Sequence, residues 1–174
     1  MNTHRTPGFG HRWAGTVRRL VFGGVLAAGL CWGAGAVAQP TVDVHLVWMG
    51  GDDCPPCMVW KRRELPRFQA TPEGRSIRIS GVDKTIRSPV PALELLPPEV
   101  RPHKAQLDLA SAGRNGSPQM ALLVNGKVYD YYFGTRESDI MVEMVQAVRT
   151  GSPYPVPRCL RLGPRGQQCE QPGS

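Results

Sequence analysis

From Val42 to Met49 the run VDVHLVWM is dense in β-branched and aromatic residues, the pattern of a buried strand, and Gly50-Gly51 ends it. After Cys57 the residues MVWKRREL are good helix formers up to Pro66, and Pro55 and Pro56 suit a helix's first turn. Ser76 to Val82 predicts a second strand, with Ile77, Ile79 and Val82 as its apolar positions. Residues 85–115 read as an insertion: the Pro-rich PVPALELLPP, a helix from about Pro98 to Ala110, and a loop at Gly113–Gly116. MALLV and KVYDYYF then flank Asn125-Gly126, a strong antiparallel hairpin signal, with Ser117-Pro118 leading in. SDIMVEMVQAVRTG begins with a Ser/Asp cap, sets Ile140, Met141, Met144, Val145 and Val148 at helical spacing, and stops at Gly151. Its methionines are read as core filling. Residues 151–174 form a Pro-, Gly- and Arg-containing tail, too polar to order itself by burial. No internal repeat appears.

The first 38 residues follow a different pattern. Arg5, Arg12, Arg18 and Arg19 precede the uncharged LVFGGVLAAGLCWGAGAVA, which closes on Ala36-Val37-Ala38. Basic, apolar, then small residues make a secretory signal peptide, with cleavage expected after Ala38 and a periplasmic destination. The competing reading is an uncleaved membrane anchor, since the run approaches the roughly 20 residues that span a bilayer; five glycines and the Ala-x-Ala ending favour removal. Arg18-Arg19 leaves Sec and twin-arginine export both open, and Leu30 before Cys31 argues against a lipoprotein. The leader holds four of the 21 basic residues and none of the 14 acidic ones, which leaves +3 on residues 39–174. The basic whole-chain balance therefore says nothing for nucleic acid, and no nucleic-acid partner is expected. Residues 39–150 suit one domain with one core, expected as a monomer.

Four cysteines remain beyond the leader: Cys54, Cys57, Cys159 and Cys169. An even number fits an oxidising compartment. Cys54 and Cys57, two residues apart at a strand-to-helix junction, are open to three readings: a redox-active pair, a metal clip, or an inert bridge. A cysteine at a helix N-terminus meets unpaired N–H groups and the positive end of the dipole, which favours its thiolate. A metal clip needs further ligands, and His45 and His103 show no ligand spacing to the cysteines. No metal and no cofactor is expected, and no Ser/His/Asp constellation or phosphate loop is evident. Cys159 and Cys169 are read as a structural staple on the tail, worth roughly 2 to 3 kcal/mol by loop entropy; a relay of electrons to Cys54 and Cys57 is the alternative.

A strand leading into Cys54-Pro55-Pro56-Cys57 on a helix, Ser-Pro before an Asn-Gly hairpin ending in Gly134, and a terminal amphipathic helix together resemble the thioredoxin superfamily over residues 41–150. The run CPPCMVWKRRELPRFQATPEGRSIRISGVD is further similar to the small periplasmic thioredoxins of bacterial sulfur-oxidation operons. The resemblance implies an α/β, thioredoxin-like fold: a central mixed sheet flanked by helices, with the insertion before a cis-proline hairpin. It implies Cys54 as the attacking cysteine, Cys57 as the resolving one, and Pro118 as a cis-proline facing them. Ser117, Pro118, Pro55 and Pro56 would then meet the substrate. Two departures stand out: Asp52-Asp53 replaces the aromatic residue usual before the first cysteine, and no buried acid is evident near Cys57. The carboxylates oppose the helix dipole and should raise the Cys54 pKa, which leans toward a reductant. The expected function is exported thiol-disulfide exchange with client protein thiols or disulfides, with room for a membrane-embedded electron donor. The rival is a non-catalytic binding module or copper chaperone on the same scaffold.

Overall fold

Seven consecutive residues, Val44 to Gly50, form a strand, and every one of them is buried. Such a strand must be covered on both faces, and the elements around it do this. The computed structural model describes residues 41–163 and 166–170; the leader and its cleavage point lie outside the described residues. In chain order the elements are β1 (Val44–Gly50), α1 (Pro55–Ala70), α2 (Pro72–Arg75), β2 (Arg78–Asp83), α3 (Lys104–Ser111), β3 (Gln119–Val124), β4 (Lys127–Phe133), α4 (Ser138–Thr150), β5 (Cys159–Gly163) and β6 (Gly166–Cys169). Short 3₁₀ turns at Leu93–Leu95 and Arg101–His103 precede α3. The main sheet runs in the order β2-β1-β3-β4. β1 and β2 are parallel, and β3 is antiparallel to both β1 and β4. The parallel pair needs a long crossover, which α1 and α2 supply.

Side chains alternate across β1 with the strand period of two. Val44, Leu46 and Trp48 face Trp60 and Phe68 of α1 and Met141, Met144 and Val145 of α4. Val47 and Met49 face the opposite cluster, with Leu107 and Ala110 of α3. Val90, Leu96 and Val100 belong to that second cluster. The segment expected as an insertion is thus the cover of the sheet's second face. Asn125 (φ 49°) and Gly126 (φ 76°) both take the left-handed region at the β3–β4 turn, as a two-residue hairpin with native twist requires.

Three local expectations are corrected. α1 does not stop at Pro66 but runs through it to Ala70, because Phe68 beyond the proline is fully buried and pulls the last turn onto the sheet. It ends at Thr71, whose hydroxyl donates to Phe68 O (2.7 Å) and accepts from Gly74 N (3.0 Å), closing α1 and opening α2 with one side chain. Second, α4 has no Ser/Asp cap. Its N-cap is Glu137, and the Ser138 N–H donates instead to Glu64 Oε2 of α1 at 3.0 Å. A carboxylate from a neighbouring helix satisfies the orphan donor.

Third, the tail does not stay unordered: β5 and β6 form a hairpin with Cys159 and Cys169 directly paired and disulfide-bonded. Its order comes from the core rather than from its own composition. Asp130, fully buried in β4, accepts from Cys159 N (2.8 Å), Tyr154 OH (3.1 Å) and Arg136 (3.3 Å). Tyr154 also meets Tyr129 edge to face at 5.5 Å, and Arg158 lies over Tyr129 while pairing with Glu170. Burial raises the Asp130 pKa, opposed by those same donors and Arg136. Removing this carboxylate strands several donors at once. Asp130→Ala should cost about 3 kcal/mol in urea unfolding and make the chain beyond Thr150 protease-sensitive. An unchanged digestion pattern would show that the hairpin is held by other contacts.

Candidate functional site

β1 ends at Gly50, and the chain needs only Gly51, Asp52 and Asp53 to reach the start of α1. Cys54 is the N-cap of that helix, in extended conformation (φ −113°, ψ 97°). Its Sγ accepts from Cys57 N at 3.3 Å, and its carbonyl accepts from Met58 N at 3.1 Å. Pro55 and Pro56 occupy the first two helical positions, where an N–H would have no intrahelical acceptor. Their exposed rings face solvent. The double proline also strips two donors from the helix start, leaving the Cys57 N–H as the one aimed at Cys54 Sγ.

Cys54 and Cys57 form a disulfide with Cα atoms 5.2 Å apart. Both are shut away, at 0% and 1% exposure. Neither sulfur is within reach of a reactant unless the surrounding loops open. Gly50 makes the close approach possible: a side chain there would put Cβ 2.5 Å from Cys57 Sγ and 3.9 Å from Ser117 Cβ. Ser117 and Cys57 Sγ thus converge on one glycine. The Ser117–Pro118 peptide is cis, with Pro118 buried and Ser117 half-buried. Pro118 O accepts from Gly134 N at 3.0 Å, joining the loop to the end of β4. The structure so brings Cys54, Cys57, Ser117 and Pro118 together at one end of the central strands β1 and β3, with Pro55 and Pro56 beside them. Cys159 and Cys169 lie apart, on the hairpin against β4 and α3. The groove beside them, about 590 Å³ and lined by Leu109, Val128, Leu160 and Cys169 among others, does not touch the Cys54–Cys57 disulfide.

The two carboxylates before Cys54 have other partners. Asp53 Oδ2 accepts from Ile86 N at 2.9 Å, and Asp52 pairs with Lys61 at 3.6 Å. Their opposition to the helix dipole is blunted accordingly. Beside them an open cleft of about 500 Å³ is lined by Gly51, Asp52, Asp53, Lys61, Asp83, Lys84 and Thr85. Lys84 is a residue that sequence reasoning missed. It is 6% exposed, and its Nζ donates to Gly116 O (2.6 Å), Ser117 Oγ (3.0 Å) and Thr85 O (3.2 Å). Burial lowers its pKa, with Asp53 pulling the other way. A lysine closing a strand is ordinary in a sequence, so nothing there marked it.

His45 and His103 are distant from this chemistry. His45 pairs near the start of β1, opposite Leu123, and stands five residue steps of about 3.3 Å each from Gly50. Its Nε2 lies 3.0 Å from Ser80 Oγ, and the Ser80 hydroxyl donates to Glu99 Oε1 at 2.7 Å. The three groups form a chain the sequence did not suggest. The carboxylate holds the serine hydroxyl, so the order is not that of a nucleophilic triad. His103 stands edge-on to His45 at 6.1 Å. Among the described residues no three His, Cys, Asp or Glu side chains converge as metal donors.

His45 Nδ1 is buried without a partner, and burial first, then Arg78 and His103, pull the His45 pKa down to about 4 against Glu99 and Asp43. The unfolded chain takes up this proton near 6.5 and the folded one only near 4, so acid favours unfolding across that window. Stability should be insensitive to this group above pH 6.5 and fall as pH drops toward 4. Urea unfolding of wild type and His45→Gln checks it: the variant should lose part of the acid-side slope, and parallel curves would contradict the assignment.

The scan against family models gives no match, nor does the search of curated proteins. Among solved structures the chain is similar to the crystal structure of the periplasmic thioredoxin SoxS from Paracoccus pantotrophus in its reduced form. Identity is 19%, the match covers 62% of this chain and 97% of that one, and the TM-score is 0.40. The fold itself is a mixed four-stranded sheet with helices on both faces, a cysteine pair capping α1, and a cis-proline before β3. That arrangement is thioredoxin-like.

Proposed function

We propose that this chain is an exported thiol-disulfide oxidoreductase in which Cys54 and Cys57 exchange with client protein thiols, working as a reductant. The observation that carries it is the position of Cys54: an N-cap sulfur that already accepts a main-chain N–H, beside the Ser117–Pro118 loop. In the reduced protein the Cys54 thiolate attacks a client disulfide. A Cys54–client S–S bond forms, and the client's second sulfur leaves as a thiolate and takes a proton. Cys57, one turn along and deprotonated, then attacks Cys54 Sγ; the client's first sulfur leaves, and two electrons have passed from the dithiol to the client. A thiol donor must reduce the pair again. The reducing direction rests on the charge of Asp52 and Asp53 that remains after their contacts with Lys61 and Ile86 N, which disfavours a thiolate at Cys54 and so the reduced form. The export reading rests on the leader pattern; among the described residues no helix is long and apolar enough to cross a membrane.

Removal of either sulfur separates the two roles. Cys54→Ser should lose disulfide reduction by at least a hundredfold, while Cys57→Ser should accumulate a mixed disulfide with the client that gel electrophoresis without reductant displays. Retained turnover in Cys54→Ser would end the proposal.

A further inference from the structure

The side chain that joins the redox loop to the Ser117–Pro118 loop belongs to neither. Lys84 follows β2, and its main chain sits against the segment before Cys54: Lys84 N donates to Gly50 O at 3.4 Å, and a side chain on Gly51 would put its Cβ 2.6 Å from Lys84 O. Two residues on, Ile86 N holds Asp53. The Lys84 side chain turns the other way and ends on Gly116 O, Ser117 Oγ and Thr85 O. Three acceptors meet the three donors of an ammonium, none of them a carboxylate. An ion buried 94% by accessibility needs such a set to remain charged.

Gln119 also reaches Gly116 O, at 2.9 Å, but its side chain is otherwise tied to Arg114 O and the Tyr131 hydroxyl, so it braces the loop toward β4 and not toward the end of β2. Lys84 alone among these contacts spans from the β2 end, which touches Gly50 and Gly51, to Ser117. Since both sulfurs of the disulfide are closed off and Ser117 abuts the site of Cys57 Sγ, the setting of these two loops decides what reaches them.

We infer that Lys84 is a positioning residue for client exchange: its ammonium fixes the Gly116–Ser117 edge relative to the Cys54–Cys57 loop, so that a client strand finds the docking edge and the sulfur in register. It rests on the redox reading above. Lys84 does not touch the reacting sulfurs and acts through Ser117 and Gly116.

The test compares two reactants on wild type, Lys84→Met, Lys84→Gln and Ser117→Ala. Dithiothreitol reports opening of the disulfide alone. An extended peptide carrying a disulfide, offered to the reduced protein, reports docking and exchange. Losing the ammonium should raise the KM for the peptide roughly tenfold with kcat little changed, the size expected when hydrogen bonds to a charged group are lost. The rate with dithiothreitol should be at least that of wild type, because the loops open more readily. The Lys84→Met effect should shrink in a Ser117→Ala background, since the two share one contact. Lys84→Gln keeps donors on a shorter stem, carries the same comparison if the Met variant does not fold, and should fall between it and wild type. A wild-type peptide KM in a folded Lys84 variant, a parallel loss with both reactants, or additive double-variant effects would each overturn the assignment. A wild-type protein inert toward the peptide would instead overturn the redox reading itself.

Discussion

One sulfur does two jobs in this fold. Cys54 caps α1 and is half of the disulfide, so the contact that starts the helix is also the one that defines the site. β1 has to end where it does for this to work. Its buried residues commit both faces to the core, and Gly50, the last of them, leaves the space that Cys57 Sγ fills. With Pro55 and Pro56 removing two helix-start donors, the remaining one at Cys57 points back at Cys54. The local chemistry and the packing of the central strand are one constraint seen from two sides.

A second polar centre organises the far side of the sheet. Asp130 gathers the segment leading into α4, the segment after that helix and the start of the C-terminal hairpin onto β4 through donors from Arg136, Tyr154 and Cys159. The cost of burying a carboxylate is offset by charge-assisted hydrogen bonds from all three. A tail with little apolar surface is thereby ordered by a group it does not itself contain. This separates the two disulfides by role: Cys159–Cys169 closes a hairpin anchored to the core, and Cys54–Cys57 sits where two loops meet.

Much of this was legible in residue order. The strand pattern, the Asn125-Gly126 turn, the Gly151 stop and the placement of the prolines before Cys57 are local signals, and local geometry obeyed them. What failed to show depended on contacts between distant segments. Pro66 looked like a stop because the burial of Phe68 is invisible in order alone. The cap on α4 comes from Glu64, 74 positions away. Asp130 did carry a visible signal, the one acidic residue inside the strand run KVYDYYF, whereas Lys84 at a strand's end carried none. At the site, the cysteines and Ser117-Pro118 were readable as motifs; the lysine joining their loops was not.

The equilibrium reduction potential of Cys54–Cys57 decides whether the pair is a working redox couple. Redox-buffer titration of the folded protein, with the Cys159–Cys169 bridge as an internal structural reference, should place Cys54–Cys57 above about −300 mV, in the range of disulfide-exchanging proteins. The proposed reducing direction puts the expected value toward the lower end of that range, near the roughly −270 mV of thioredoxin. A potential well below about −300 mV, no easier to reduce than the hairpin bridge, would mark Cys54–Cys57 as a structural staple and contradict the account.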